Sequence, residues 1–174
     1  DRYCPGFENE ARPGQKMNQL LAGNRRYVAG QCAEKESGEL FRKQLQKGQQ
    51  PRAVVISCSY SRVAPEILFD ADLGSIFVVR TAGNVVDTVG LGSIEYAVEH
   101  LKTPLIVILG HESCGAVQAA IDHDGEPEGN LGAVIGKILP AVRAAQAGGR
   151  QGADLACSAA IEHVKNMVRH ILDN

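Results

Sequence analysis

Ala53-Val54-Val55-Ile56-Ser57-Cys58 is a run of apolar and small residues that opens into the polar stretch Ser59-Tyr60-Ser61-Arg62. Its apolar residues do not alternate with polar ones, as they would in a strand with one wet face. They are continuous, the pattern of a strand buried on both sides. Two further runs share it, Ser75-Ile76-Phe77-Val78-Val79 and Pro104-Leu105-Ile106-Val107-Ile108-Leu109. Between them Leu91, Ile94, Ala97, Val98 and Leu101 fall at helical spacing, which predicts a helix over about 89–100. Buried strands alternating with helices predict right-handed crossovers and a mainly parallel β-sheet flanked by helices, an α/β fold.

Upstream of that core, residues 1–14 are polar and turn-rich and read as an extended arm. Leu20, Leu21, Tyr27 and Val28 then predict a helix over 15–29 with a narrow apolar face, suited to packing on a partner. A charged helix over 37–46 carries Leu40, Phe41 and Leu45, and Gly48-Gln49-Gln50-Pro51 punctuates the chain. Downstream come a small-residue helix over 116–121, an acidic Gly/Pro loop over 122–132, and helices over 133–146 and 153–172. The expected organisation is a single domain over 1–174, with an N-terminal helical arm (1–48) and an α/β core (49–174).

The chain's 174 residues suit one domain of roughly 100–200 residues. A net charge of −2, no tryptophan and 5% aromatics argue against nucleic acid, which calls for a basic face or stacking platforms. No apolar run approaches the roughly 18–20 residues that span a bilayer, so no membrane association is expected. No basic-then-apolar leader opens the sequence at Asp1. A cytoplasmic location is expected, a processed periplasmic or secreted form being the alternative. Five scattered cysteines, an odd number, do not make a disulfide framework.

Functional groups in open α/β sheets collect just past the carboxyl ends of the strands. Cys58 follows the first apolar run directly. His111 and Cys114 follow the third, in Gly110-His111-Glu112-Ser113-Cys114-Gly115. A lone buried cysteine is usually a small hydrophobe, and His-x-x-Cys also occurs by chance. The coincidence of both at strand ends is what points to a Cys₂His set, which zinc accepts while keeping a fourth position open for water.

These residues resemble the β-class carbonic anhydrases, whose pattern is Cys-x-Asp-Ser-Arg followed about fifty residues later by His-x-x-Cys. Around the motifs the likeness extends to Pro65-Glu66, to Phe77-Val78-Val79-Arg80-Thr81-Ala82-Gly83-Asn84 and to Gly92-Ser93-Ile94-Glu95-Tyr96-Ala97-Val98, with Leu21-Ala22-Gly23-Asn24-Arg25-Arg26-Tyr27 similar to the family's first helix. The resemblance implies one Zn²⁺ per chain on Cys58, His111 and Cys114, reversible hydration of carbon dioxide to bicarbonate, and a homodimer or dimer-of-dimers. It also implies that Gln49, Phe77 and Ala82 shape the carbon dioxide pocket, Gln49 often across a dimer interface. Gly115 opens a helix where backbone N–H groups face an anion. Arg62 matches the arginine that pairs with the motif's aspartate, a pair that orients the zinc water.

The sequence departs from the pattern there, because Tyr60 stands in the aspartate's place. A phenol carries no charge at neutral pH and makes no carboxylate–guanidinium pair with Arg62. Three consequences are open at this point. Tyr60 hydrogen-bonds the zinc water and preserves turnover; it occludes the pocket and leaves a zinc-binding protein with little activity, serving a binding role; or it reshapes the site for a related substrate such as carbonyl sulfide or carbon disulfide. A second departure is at the end: family members continue past the last helix with another strand and a tail, whereas this sequence stops at Asn174; either that piece lies outside the given sequence or the sheet edge is completed otherwise.

The remaining candidates read as structural. Cys4 and Cys32 have no partner at metal spacing and are expected at or near the surface, and Cys157 in the core. His100, His163 and His170 are expected to be solvated or capping, and His123, in the acidic loop, is a candidate proton shuttle. Asp70 and Asp72 are expected in turns and ion pairs, Arg80 as a structural anchor of the loop or of a dimer, and Gly83-Asn84 in a tight turn beside the pocket.

Overall fold

The computed structural model describes residues 13–35, 38–125 and 128–174. Of the arm expected over 1–14, residues 1–12, with Cys4, lie outside them, and Pro13 and Gly14 instead open the first helix. In order the elements are α1 (Pro13–Val28), α2 (Glu39–Leu45), β1 (Val54–Cys58), α3 (Pro65–Leu68), β2 (Phe77–Thr81), α4 (Thr88–Glu99), β3 (Ile106–Leu109), α5 (Gly115–Ile121), α6 (Gly129–Ala147) and α7 (Gly152–Leu172). Short 3₁₀ turns at Ser61–Val63 and Ala82–Asn84 follow β1 and β2. The fold is α/β, and every strand and helix expected of it is present among the described residues.

The sheet order is β2-β1-β3. Bonds from Arg52 N–H to the Ser75 carbonyl, Phe77 N–H to the Ala53 carbonyl and Ser59 N–H to the Thr81 carbonyl climb both strands together, so β1 and β2 run parallel. The chain leaves β2, passes through α4 and returns as β3 on the far side of β1. Continuous apolar sequence predicts three strands buried on both faces, and only β1 is so: each of its residues is buried, while β2 is half-buried throughout and Ile106 opens β3 exposed. Position in the sheet explains the difference, since β2 and β3 are its edges in this chain. One helix boundary also moves. The loop expected up to residue 132 gives way to α6 at Gly129, because the two glycines of its first turn hide a helix start that buried Gly132 nevertheless completes.

The chain divides into two compact units whose boundaries cut through the strands. The first holds the described residues up to Val55, with Ala64–Val79 and Gly92–Val107. There α1 packs on α3. Gly23 of α1 lies so close to the chain that a Cβ would sit 1.8 Å from the Phe69 carbonyl oxygen, and Asn24 Nδ2 donates to the Leu68 carbonyl at 3.0 Å. Asp70 is buried nearby, paired with Arg26 and Lys35 and accepting from the Ala33 N–H. These charges hold its carboxyl well below the usual carboxylate range: first Lys35, then Arg26, outweigh the cost of burial.

The second unit holds Ile56–Val63, Arg80–Leu91 and Ile108–Asn174. Its helices α5, α6 and α7 pack on one another. The buried stripe of α7 is Leu155, Ala159, His163 and Met167, a strict four-residue spacing. His163, expected to be solvated, is thus a core residue, 1% exposed. Cys157, expected in the core, falls off that stripe and is exposed, as is Cys32.

Candidate metal centre

Three segments of the second unit converge at the carboxyl ends of β1 and β3. Cys58 is the last residue of β1 and His111 lies two residues beyond β3. Cys114 caps the amino terminus of α5. Ser113, between the two later groups, adopts the left-handed conformation at φ 55° and turns the chain sharply, so that a three-residue spacing returns Cys114 toward His111. One ligating atom from each of Cys58, His111 and Cys114 falls within 4.8 Å of the others. Both cysteines are free thiols and 6% exposed.

Hydrogen bonding prepares each group. His111 Nδ1 lies 2.8 Å from the Glu112 carbonyl oxygen; a carbonyl only accepts, so the ring proton belongs on Nδ1. That leaves the Nε2 lone pair bare, and Nε2 is buried without a hydrogen-bond partner among the described residues. A ligating histidine held by its other nitrogen has this arrangement. Cys58 Sγ accepts from the Gly83 N–H at 3.3 Å. Burial pushes the Cys114 thiol above its ordinary value; the Val117 and Ala116 amides of α5 pull it down, and neighbouring Cys58 adds to the rise. A buried nitrogen lone pair beside two sulfurs is a donor set that fits a soft or borderline divalent cation such as zinc.

Around this triad Tyr60 lies flat against the His111 ring, with centroids 5.4 Å apart and planes 4° from parallel. The Arg62 guanidinium sits 4.9 Å from the centre of the Tyr60 ring. Arg62 also donates to the Glu112 carbonyl at 3.2 Å, the same oxygen that receives His111 Nδ1. Arg80 fixes the segment from below the strand end, Nε to the Cys58 carbonyl at 3.0 Å and Nη2 to the Tyr60 carbonyl at 2.7 Å. It is the loop anchor the sequence leads one to expect. Tyr60 is 45% exposed, so its ring forms one wall of the site's mouth.

Of the other expected residues, Ala82 is exposed at the start of the 3₁₀ turn and Gly115 opens α5. Gln49 and Phe77 belong to the first unit: Gln49 is half-buried in the loop before β1, and the Phe77 ring meets Tyr96 at 6.3 Å. His163 is the functional candidate that reading for metal spacing passes over. Its signal lay in helical periodicity, since it falls on the same four-residue stripe as Leu155, Ala159 and Met167.

The sequence profile of the carbonic anhydrase family matches residues 53–174. The chain belongs to the β-class carbonic anhydrase family. It is 49% identical over 135 residues to a carbonic anhydrase of Mycolicibacterium smegmatis, covering 76% of this chain and 66% of that one. It is 51% identical over 126 residues to carbonic anhydrase 2 of Mycobacterium tuberculosis, covering 71% of this chain and 61% of that one. The chain therefore spans less than two thirds of the length of these relatives. Among solved structures, one of two tetrameric β-carbonic anhydrases from Sordaria macrospora superposes with a TM-score of 0.70 at 26% identity, over 92% of this chain and 82% of that one. No helix among the described residues is long and apolar enough to cross a membrane.

Proposed function

We propose that this chain catalyses the zinc-dependent, reversible hydration of carbon dioxide to bicarbonate and a proton. The observation that carries the reading is the Cys58–His111–Cys114 cluster, three ligating atoms within 4.8 Å with His111 Nε2 buried and unpartnered. Those three residues would hold zinc, which would supply the Lewis acidity that makes a water acidic near neutral pH. The chain's own residues do the rest. The Glu112 carbonyl keeps His111 in the tautomer that leaves Nε2 free, Arg62 braces that carbonyl, and the Gly83 and α5 amides draw charge from the two sulfurs. The family resemblance is what supports a substrate-binding role for Gln49, Phe77, Ala82 and Gly115. One zinc per chain, a single domain over 1–174, a homodimer or dimer-of-dimers and a cytoplasmic location complete the proposal; the Sordaria macrospora relatives are tetrameric, which supports the assembly.

Tyr60 favours a second reading, a protein that holds zinc and bicarbonate with little turnover. Where the family pattern has a carboxylate, this site has an aromatic ring packed on the histidine ligand, and Arg62 is engaged with Glu112 and that ring. The centre keeps its bracing but lacks an anionic acceptor for the water's proton. Stopped-flow hydration of carbon dioxide by zinc-loaded protein from about pH 6.5 to 9 decides between them. A rate above buffer that rises with pH and vanishes in Cys114→Ser establishes the enzyme. A flat trace from folded, zinc-loaded protein overturns it in favour of the binding role, and carbonyl sulfide and carbon disulfide are then the substrates to try.

A further inference from the structure

One buried titratable group has no place in the chemistry above. His163, on the apolar stripe of α7, brings Nε2 within 2.8 Å of the Gly83 carbonyl oxygen. Four residues on, Met167 Sδ accepts from the Val86 N–H at 3.4 Å, so α7 grips the loop after β2 at two points. The N–H of the same Gly83 donates to Cys58 Sγ. The Gly83 carbonyl only accepts, so the His163 proton sits on Nε2, and Nδ1 is buried without a partner among the described residues. Burial lowers the pKa of His163, favouring the neutral ring.

Thr81 Oγ1 closes the turn by donating to the Val85 carbonyl at 2.6 Å, but Gly83 inside it has no side chain to hold its own peptide groups. Gly83 stands at φ 65° and Asn84 at φ 47°, both in the left-handed region. A Cβ on Gly83 would come 2.8 Å from Ile138 Cδ1 and 2.9 Å from Ala116 Cβ, so glycine is required for space as well as conformation. With no side chain at Gly83, the tilt of its two peptide groups depends on what binds them from outside: His163 on the carbonyl, and Cys58 on the N–H.

We propose that His163 is a positioning residue of the metal centre: by donating to the Gly83 carbonyl it fixes the turn whose Gly83 N–H donates to Cys58 Sγ, and so sets the aim and electron density of that sulfur. The inference rests on the zinc reading for its consequence, though not for its geometry. A hydrogen bond to a ligating sulfur draws charge from it, and outer partners of this kind are typically worth about 10- to 100-fold in metal affinity.

Three variants of the full chain test it. His163→Phe and His163→Leu fill the space without a donor, and His163→Gln retains an N–H able to reach the carbonyl. In metal-free protein, hydrogen exchange at the Gly83 amide should quicken about tenfold in the Phe and Leu variants, as expected for one lost hydrogen bond, and return toward wild type in Gln. In loaded protein, the first two should release zinc to a chelator about tenfold faster and shift the thiolate-to-cobalt charge-transfer band of the cobalt(II) form, with Gln again restoring both. Unchanged Gly83 exchange and an unmoved band in the Phe and Leu variants overturn the proposal. So does a Gln variant that behaves like Phe and Leu, which would make the role one of packing. If wild-type protein takes up neither zinc nor cobalt, the zinc reading fails separately, and Gly83 exchange still decides the role of His163.

Discussion

Each unit buries acidic groups, and the two do so in opposite ways. In the first unit Asp70 is buried with Arg26, Lys35 and the Ala33 amide already on its carboxylate. In the second unit Cys58 and Cys114 are buried within reach of each other and of His111, and the donors that reach them are backbone amides. The pKa directions follow: the paired carboxyl is driven down, and the Cys114 thiol is driven up. A buried anion needs a cation, because the cost of desolvating a charge exceeds what neutral donors return. The first unit draws its cation from its own sequence. In the second unit the zinc proposed above would supply it.

The strongest way to break this contrast is to remove a sulfur. Cys114→Ser should reduce carbon dioxide hydration to the buffer background and abolish stoichiometric zinc uptake, read by stopped flow and by metal analysis, while the first unit is untouched. Zinc itself should stabilise the intact protein. At free zinc a thousandfold above its dissociation constant the gain is about 4 kcal/mol, visible as a rise in Tm that Cys114→Ser lacks. An equal rise in that variant would place the metal elsewhere. Next in size is Tyr60→Asp, which supplies the anionic acceptor the centre lacks and should raise kcat/KM about 100-fold, the scale of a positioned proton acceptor. If hydration by the wild type already matches that variant, Tyr60 is a tolerated wall and the carboxylate is dispensable here.

The Asp70 cluster has its own pH signature. A carboxyl held below its ordinary value contributes stability that is fully present above the unfolded value of about 3.9 and is lost as pH falls toward the folded one. Resistance to thermal unfolding should therefore fall steeply below about pH 4, and Asp70→Asn should lower Tm at neutral pH while flattening that acid limb. Zinc uptake should survive the substitution at pH 7.5. A variant that kept the acid limb intact would show that other carboxylates set it.

How much of this could be read without coordinates depends on whether a feature is carried by neighbours in sequence. Val54 to Cys58 are consecutive, so the central strand and the cysteine that ends it are plain in the sequence. His111 and Cys114 share one loop, and their spacing, together with Cys58 at another strand end, suggests a metal site before any geometry. The half-burial of β2 and β3 was not legible, because edge and centre strands share the same apolar composition and only the sheet order distinguishes them. Tyr60 announced itself by replacing a carboxylate, yet nothing local says that its ring lies parallel to His111 or that Arg62 turns to Glu112. His163 was misread for a related reason: its partner Gly83 is eighty residues away, and a search for ligand spacing ignores a histidine on an apolar stripe.

The smallest effect tests a feature the two clusters share. Asp70 and Ser113 both stand in the left-handed region, at φ 46° and 55°, although neither is glycine. At Asp70 the conformation cannot be separated from the ion pairs. Ser113 is exposed and lies between His111 and Cys114 without joining their cluster, so its backbone cost stands alone. A left-handed residue with a Cβ costs about 1–2 kcal/mol, and glycine returns roughly 0.5–1 kcal/mol of that through its freer unfolded chain. Ser113→Gly should thus raise stability by less than about 1 kcal/mol and leave the zinc release rate unchanged. A faster release would mean that the serine side chain holds His111 and Cys114 in register, and that the turn belongs to the metal centre as much as the ligands do.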